Sequence, residues 1–471
     1  EENASPAMQM AARTWTGNNW QQFGGGGNSW DALTYDPELD LLYFGTAAAL
    51  PALHKERSPD GGDNLYLSSI LALRPDTGEL VWHYQTTPGD NWDYTAVQHI
   101  MLADLEIDGV VRHVLMQAPK NGFFYVLDRA TGELLSADKY ITATWASHVD
   151  METGRPVETP ESLFADQPRM ILPGPLGGHN WHPMAFNPEL DLAYIPAQEI
   201  PLMYQNDSRF LSDPAVWNTG MDFSAGTPVV PPQEVFDFLR AGLKGRLLAW
   251  DPKTQEVRWS KEHTNAWNGG VLTTAGGLVF QGQLEGQFSA YDAATGDVKW
   301  SYDLKSGAAS GPATYEIDGQ QFVTITTGWG SAYALAAGGF AYDEIVPPMV
   351  GKVVTFKLGA TEEIADPDLP EVLREPQAER FGSEEVLQSG MVAYARNCSV
   401  CHGALALSSG VLPDLRWSAI SGDAEAWKSV VIDGSLAENG MVSFSRLLTE
   451  DDAEAIRAYV VTQAHTAIEL E

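Results

Sequence analysis

The sequence predicts an all-β propeller, incomplete at four or five blades, followed by a small all-α domain. Three observations predict it. One turn unit recurs with a tryptophan a few residues later, a second turn unit is repeated almost letter for letter, and the character of the chain changes after residue 358.

The first unit reads apolar run, turn residues, Gly, short run, Trp. It occurs as Ala72-Leu-Arg-Pro-Asp-Thr-Gly-Glu-Leu-Val-Trp82, Ala249-Trp-Asp-Pro-Lys-Thr-Gln-Glu-Val-Arg-Trp259 and Ala290-Tyr-Asp-Ala-Ala-Thr-Gly-Asp-Val-Lys-Trp300. Val126-Leu-Asp-Arg-Ala-Thr-Gly-Glu-Leu-Leu135 is a copy without the Trp. Asp-x-x-Thr-Gly is a tight turn between two strands. Trp82, Trp259 and Trp300 are therefore expected to pack between neighbouring sheets. The second unit is Tyr35-Asp-Pro-Glu-Leu-Asp-Leu-Leu-Tyr43 and Phe186-Asn-Pro-Glu-Leu-Asp-Leu-Ala-Tyr194. Turn glycines 78 and 132 are 54 residues apart, and positions 255 and 296 are 41 apart. Hairpin units at that period mark a β-propeller. A β-sandwich does not explain near-identical turns.

Val353–Leu358 reads as a last strand. Residues 359–384 are rich in Pro, Glu and Asp without apolar period, and read as a linker. From residue 385 to 471 the pattern is helical. Glu385 to Asn397 carries Val386, Leu387, Met391 and Tyr394 on one face, and Thr449-Glu-Asp-Asp452 starts a capped terminal helix.

Between those helices lies Cys398-Ser-Val-Cys-His402, which holds both cysteines of the chain. C-x-x-C-H is the attachment signature of a c-type haem. Two thiols at this spacing reach the two vinyl groups, and the next imidazole meets the iron. A redox dithiol usually lacks the His, and a structural zinc needs about four ligands, for which no second Cys pair exists. Met441 is the one methionine after His402. His402 and Met441 are thus the expected axial pair, with His465 the weaker alternative. Pro413 is expected to pack near His402. Helix, haem motif, loop, Met, helix is the order of a small cytochrome c.

Composition bounds the rest. Apolar content of 44% is ample for large cores, and no run of apolar residues is long enough to span a membrane. Sixty-three acidic against 28 basic residues give a net charge of −35, which argues against nucleic acid and anionic membranes as partners. Covalent haem implies attachment outside the cytoplasm, while Glu1-Glu-Asn-Ala-Ser is not a signal peptide; further chain is therefore expected before Glu1.

Four stretches, Gly89-Asp-Asn-Trp-Asp-Tyr-Thr95, Ala118-Pro-Lys-Asn-Gly-Phe-Phe-Tyr-Val-Leu-Asp128, Gly178-His-Asn-Trp-His-Pro-Met184 and Ala266-Trp-Asn-Gly-Gly270, resemble the quinohaemoprotein (type II) alcohol dehydrogenases. In that family a pyrroloquinoline quinone (PQQ) propeller of eight blades is fused to a cytochrome c. The resemblance covers nearly the whole chain and matches the later part of the family's catalytic domain, which again implies missing blades upstream. It implies oxidation of a primary or secondary alcohol, with hydride passing to PQQ. Electrons then leave through the haem to a soluble acceptor, such as a blue copper protein or a cytochrome, in the periplasm. It casts Asp93 as the catalytic base and a calcium ligand, and Lys120 as the cation at the quinone oxygens. Asn180 and Trp181 fall at the cofactor edge, Trp30 under the flat ring, and Asn28 at a cofactor carboxylate.

Two departures matter. Asn28 stands where the family usually has Thr, a soft change between hydrogen-bonding side chains. Ala48, in Gly45-Thr-Ala-Ala-Ala-Leu-Pro51, stands where the family has an Asn that ligates calcium, and a methyl cannot ligate a metal. The competing reading is a non-catalytic electron-transfer or interaction protein, a cytochrome c tethered to a degenerate propeller.

Overall fold

The turn units are held by their own side chains. In the computed structural model, which describes residues 4–24, 26–31, 33–213, 216–224, 228–342, 349–369 and 373–470, Asp128 Oδ1 accepts from the N–H groups of Ala130 and Thr131 at 3.0 and 3.1 Å. Asp292 does the same for Ala294 and Thr295, and Asp251 for Lys253 and Thr254. The fifth residue closes each turn with positive φ, 76° at Gly132, 75° at Gly296 and 57° at Gln255, a region glycine enters without steric cost. The second unit behaves alike: Asp36 and Asn187 each cap the two N–H groups after the proline. Residues 1–3, Gly25, Ala32, 214–215, 225–227, 343–348, linker residues 370–372 and Glu471 lie outside the described residues.

These turns join strands into antiparallel meanders, each sheet keeping sequence order. The first four-stranded sheet is Thr34–Asp36, Leu41–Gly45, Ser69–Leu73 and Leu80–Gln85. The second is Met101–Ile107, Val110–Gln117, Phe123–Asp128 and Leu134–Lys139. Ala185–Asn187, Leu192–Glu199, Lys244–Asp251 and Glu256–His263 form the third. Val271–Thr274, Leu278–Gly282, Gln287–Asp292 and Val298–Asp303 form the fourth. A three-stranded sheet follows, Ala313–Ile317, Gln320–Thr326 and Val353–Lys357. These are the blades of a β-propeller, with buried apolar clusters between adjacent sheets.

The tryptophans follow the expectation in two cases of three. Trp82 of the first sheet lies on the turn of the second: a Cβ on Gly132 would come within 2.6 Å of its ring, and its Nε1 donates to Arg129 O at 3.2 Å. Trp259 repeats this on Gly296, at 2.7 Å, with Nε1 on Ala293 O. Trp300 is a correction. It meets Phe356 of the next sheet at 5.1 Å but stays 38% exposed, because no further turn of this type follows to cover it.

After Lys357 the described chain runs without helix or strand to the helix Glu384–Asn397. It is nevertheless fastened, by Ile364 N–H on the Tyr302 hydroxyl and by His465 Nε2 on Ala378 O. The C-terminal part packs Glu384–Asn397 against the long helix Glu450–Leu470, whose start is a reciprocal box between Thr449 and Asp452. A propeller loop holds it in place. Arg396 pairs with the buried carboxylate of Asp207 at 2.5 Å, and Arg446 with that of Asp213 at 3.2 Å.

Candidate functional site

The loop Gly89–Thr95 is built to present one carboxylate. Asp90 is buried, and its two oxygens accept from the N–H groups of Trp92, Asp93 and Tyr94, each at 3.1 Å. Trp92 and Tyr94 are fully buried and stacked on each other. Trp92 Nε1 donates to Ser162 O, and the Tyr94 hydroxyl donates to Pro173 O. With its neighbours anchored, Asp93 is turned outward at φ 65° and its side chain keeps 33% exposure.

Lys120 meets it there. The ammonium is buried and lies 3.1 Å from Asp93 Oδ2 and 3.1 Å from Asp93 O. Gly177 allows this approach, since a Cβ on it would lie 2.5 Å from the Lys120 side chain. Gly178 N–H then donates to Lys120 O, which brings the loop of Asn180 and Trp181 alongside. Asn180 is buried, with Nδ2 on Leu176 O and Oδ1 accepting from Trp181 N–H. Trp30 is 41% exposed and Asn28 is also exposed; their segment is tied to the alanine loop through Gly27 N–H on Ala48 O and Ala47 N–H on Asn28 O. A buried ammonium, an amide and an indole face fit a flat anionic quinone.

Calcium fits less well. The ion takes six to eight oxygens. Here Ala47, Ala48 and Ala49 are buried methyls that offer an ion no side-chain oxygen, and Asp93 faces an ammonium. Among the described residues no three His, Cys, Asp or Glu side chains cluster to hold a metal ion. No step is derived through calcium.

Sequence reading missed two residues here. Arg57 is 1% exposed and donates to the carbonyls of Ala49, Pro51 and Ala52 from Nη1 and to that of Asp90 from Nη2. It therefore pins the alanine loop to the Asp90 loop. Burial lowers its pKa to about 10, with Asp90 and Asp93 opposing. Burial pushes the Asp90 carboxyl up to about 6; Arg57 lowers it and Asp93 raises it. Only main-chain oxygens receive Arg57, so no side-chain signal marked it.

At the other end, Cys398 and Cys401 lie on one helical turn, Cys401 N–H and His402 N–H both reaching Cys398 O. Burial pushes the Cys398 thiol up to about 12 and raises Cys401 as well. His402 Nδ1 lies 3.2 Å from Pro413 O, which leaves Nε2 for an iron. Met441 packs half-buried on the cluster that contains Cys398, Met391 and Tyr394. His465 spends its Nε2 on Ala378 O. The residues fit a covalent haem.

The beta-propeller model of glucose/ethanol/alcohol dehydrogenases matches residues 5–137 and 144–323. The model of cbb3-type cytochrome c oxidase subunit III matches residues 385–460. Quinohemoprotein alcohol dehydrogenase ADH IIB of Pseudomonas putida is 46% identical over 98% of this chain and 65% of its own length. The quinohemoprotein alcohol dehydrogenase of Comamonas testosteroni is 41% identical over 96% of this chain and 63% of its own. The solved structure of ADHIIG from Pseudomonas putida HK5 superposes with a TM-score of 0.91 at 39% identity, covering 99% of this chain and 68% of that one. The chain thus spans a little under two thirds of the length of these curated relatives. The alignments take in nearly all of this chain and do not establish the upstream truncation expected from the sequence. From the matched propeller, the matched cytochrome and this superposition together, the chain belongs to the quinohaemoprotein alcohol dehydrogenases.

Proposed function

We propose that the protein oxidises an alcohol to an aldehyde or ketone and passes the electrons through its own haem to an external acceptor. The contact of Asp93 with Lys120 at 3.1 Å, beside Asn180 and Trp181, carries this reading. PQQ, when bound, supplies the hydride acceptor, and the c-type haem supplies a one-electron carrier. Asp93 takes the hydroxyl proton as hydride leaves. Lys120, 3.1 Å from that carboxylate, favours negative charge where it develops. Asn180 and Trp181 would hold the cofactor with Lys120, Trp30 would stack on it and Asn28 would donate to it. Cys398 and Cys401 would tether the haem, and His402 and Met441 would ligate its iron. The organisation we propose is a propeller to residue 358, a linker from 359 to 384 and a cytochrome from 385 to 471. The acceptor is a periplasmic blue copper protein or cytochrome. Calcium would be held through Asp93 only if oxygens from elsewhere made up the cage.

A second reading is favoured by the buried alanines at 47–49: an electron-transfer protein with a silent propeller. One experiment separates them. Primary and secondary alcohols added to the PQQ-loaded protein should reduce the haem. If the cofactor binds and no alcohol reduces it, the enzyme reading fails. Met441→Ala should abolish the far-red methionine–iron band; a band that survives would overturn that ligand.

A further inference from the structure

A file of rings leads away from the Asp93–Lys120 corner. Trp181 stacks on His182, centroids 4.3 Å apart at 26°. His182 meets Trp267 edge-on at 4.7 Å and 72°. Trp267 stacks on Tyr333 at 4.9 Å and 12°. His182, Trp267 and Tyr333 are each 1% exposed.

The file ends against the haem turn. Tyr333 sits in the helix Ala332–Ala337, which packs on Ser399–His402. Just after it, Gly338 and Gly339 rest on the backbone following His402. Gly339 N–H donates to Leu407 O at 2.7 Å, and a Cβ on Gly338 would fall 2.7 Å from Gly403 Cα. Only glycine permits that approach. One apolar cluster holds Trp267 and Tyr333 and takes in Trp181 at one end and Val411 of the cytochrome at the other.

Packing alone does not explain the residue types. Both ring nitrogens of His182 and Nε1 of Trp267 are buried without a hydrogen-bond partner among the described residues. An orphaned buried polar group costs about 1–3 kcal/mol, a cost that an aliphatic side chain would avoid. Burial, with His179 second, holds the His182 imidazole well below its ordinary pKa and so neutral.

We infer that this file is the conduit by which electrons cross from the quinone pocket to the haem, with His182 and Trp267 as its two bridging rings. The inference rests on the alcohol-oxidation reading for its electron source. Tunnelling falls off more steeply across empty space than through bonded or packed atoms, and each ring closes a gap to van der Waals contact. The rings are a medium and are not themselves oxidised. One alcohol yields two electrons and two protons. Each crossing reduces one ferric haem iron to ferrous, the external acceptor reoxidises it, and a second crossing returns the quinol to quinone. The protons leave to solvent, one of them by way of Asp93.

The test uses the PQQ- and haem-loaded holoenzyme with His182→Leu, His182→Phe and Trp267→Leu. Mixing with alcohol in a stopped-flow instrument resolves cofactor reduction from haem reduction. In the two leucine variants haem reduction should slow severalfold, with the cofactor reduction rate, PQQ loading and haem spectrum kept, and His182→Phe should restore it. Flash reduction of the haem by a soluble ruthenium photoreductant, followed by electron arrival at the quinone, repeats the measurement without alcohol. It therefore tests the conduit even if alcohol oxidation fails. Unchanged crossing rates in the leucine variants overturn the conduit. Equal slowing by His182→Leu and His182→Phe does too, since the ring would then not be what matters. If His182→Leu does not fold, Trp267→Leu decides alone.

Discussion

Two loops that meet at Arg57 have opposite chemistry. Residues 47–53 offer only backbone to a polar partner: Ala47, Ala48, Ala49 and Ala52 are buried methyls, and three carbonyls of this loop receive the guanidinium. Residues 89–95 work through side chains, Asp90 bracing three N–H groups and Asp93 facing Lys120. The difference teaches that the course of the alanine loop is kept by a cation that needs no side chain from it. Two fixed cations, Arg57 and Lys120, provide the positive charge beside the two aspartates.

Breaking the pin tests this most severely. Arg57→Met leaves four buried carbonyls unpaired, and losing one side of a buried charged contact costs about 3–5 kcal/mol. Denaturant unfolding should show that loss; a change within experimental scatter would mean that the two loops hold each other without Arg57.

Asp90 gives the next largest effect, on the order of 3 kcal/mol for a carboxyl ionised with its pKa moved from 3.8 to about 6. The sign follows from linkage. The folded state holds the proton more tightly than the unfolded chain, so this stabilisation is complete below pH 3.8 and is lost as pH rises through about 6. Relative to the parent, Asp90→Asn should therefore gain stability across that window and run parallel above it. Thermal melts over the same pH range check this, and a constant offset would show that Asp90 does not titrate there.

Asp93→Asn sharpens the contrast in function rather than in folding. Turnover should fall about 10²-fold or more, the size of a general-base effect, while PQQ loading stays near the parent. Near-normal turnover would transfer the base to another group.

How far the sequence could be read follows the range of the interactions. The blade turns were legible because Asp128, Asp251 and Asp292 bond to N–H groups two and three residues on. The haem turn was legible for the same reason, and Pro413 was placed beside His402 from its pattern. Trp300 carries the same local motif as Trp82, yet its burial depends on chain far away. Asp93 reads by itself as an ordinary turn acid, and only resemblance singled it out. Arg57 and Asp90 were invisible because their partners are main-chain atoms, which every sequence supplies. His182 and Trp267 lay inside recognised stretches, but 85 residues of sequence separate two rings that touch.

The smallest expected effect reverses the alanine loop's change. Ala48 is 5% exposed, so Ala48→Asn buries an amide in a place shaped for a methyl. Left without a partner, that amide should cost about 1–3 kcal/mol. If the position faces a cation site completed by Asp93, added calcium should recover the loss, because an ion that binds only the folded state stabilises it, increasingly as its concentration exceeds the dissociation constant. The parent should show no such response, since its methyl offers the ion nothing and Lys120 already occupies Asp93. Melting temperatures of both proteins with calcium and with chelator measure it. Recovery in the variant alone would show that one substitution separates a fixed-cation site from a metal site. Equal behaviour of the two proteins would show that residue 48 does not look onto Asp93.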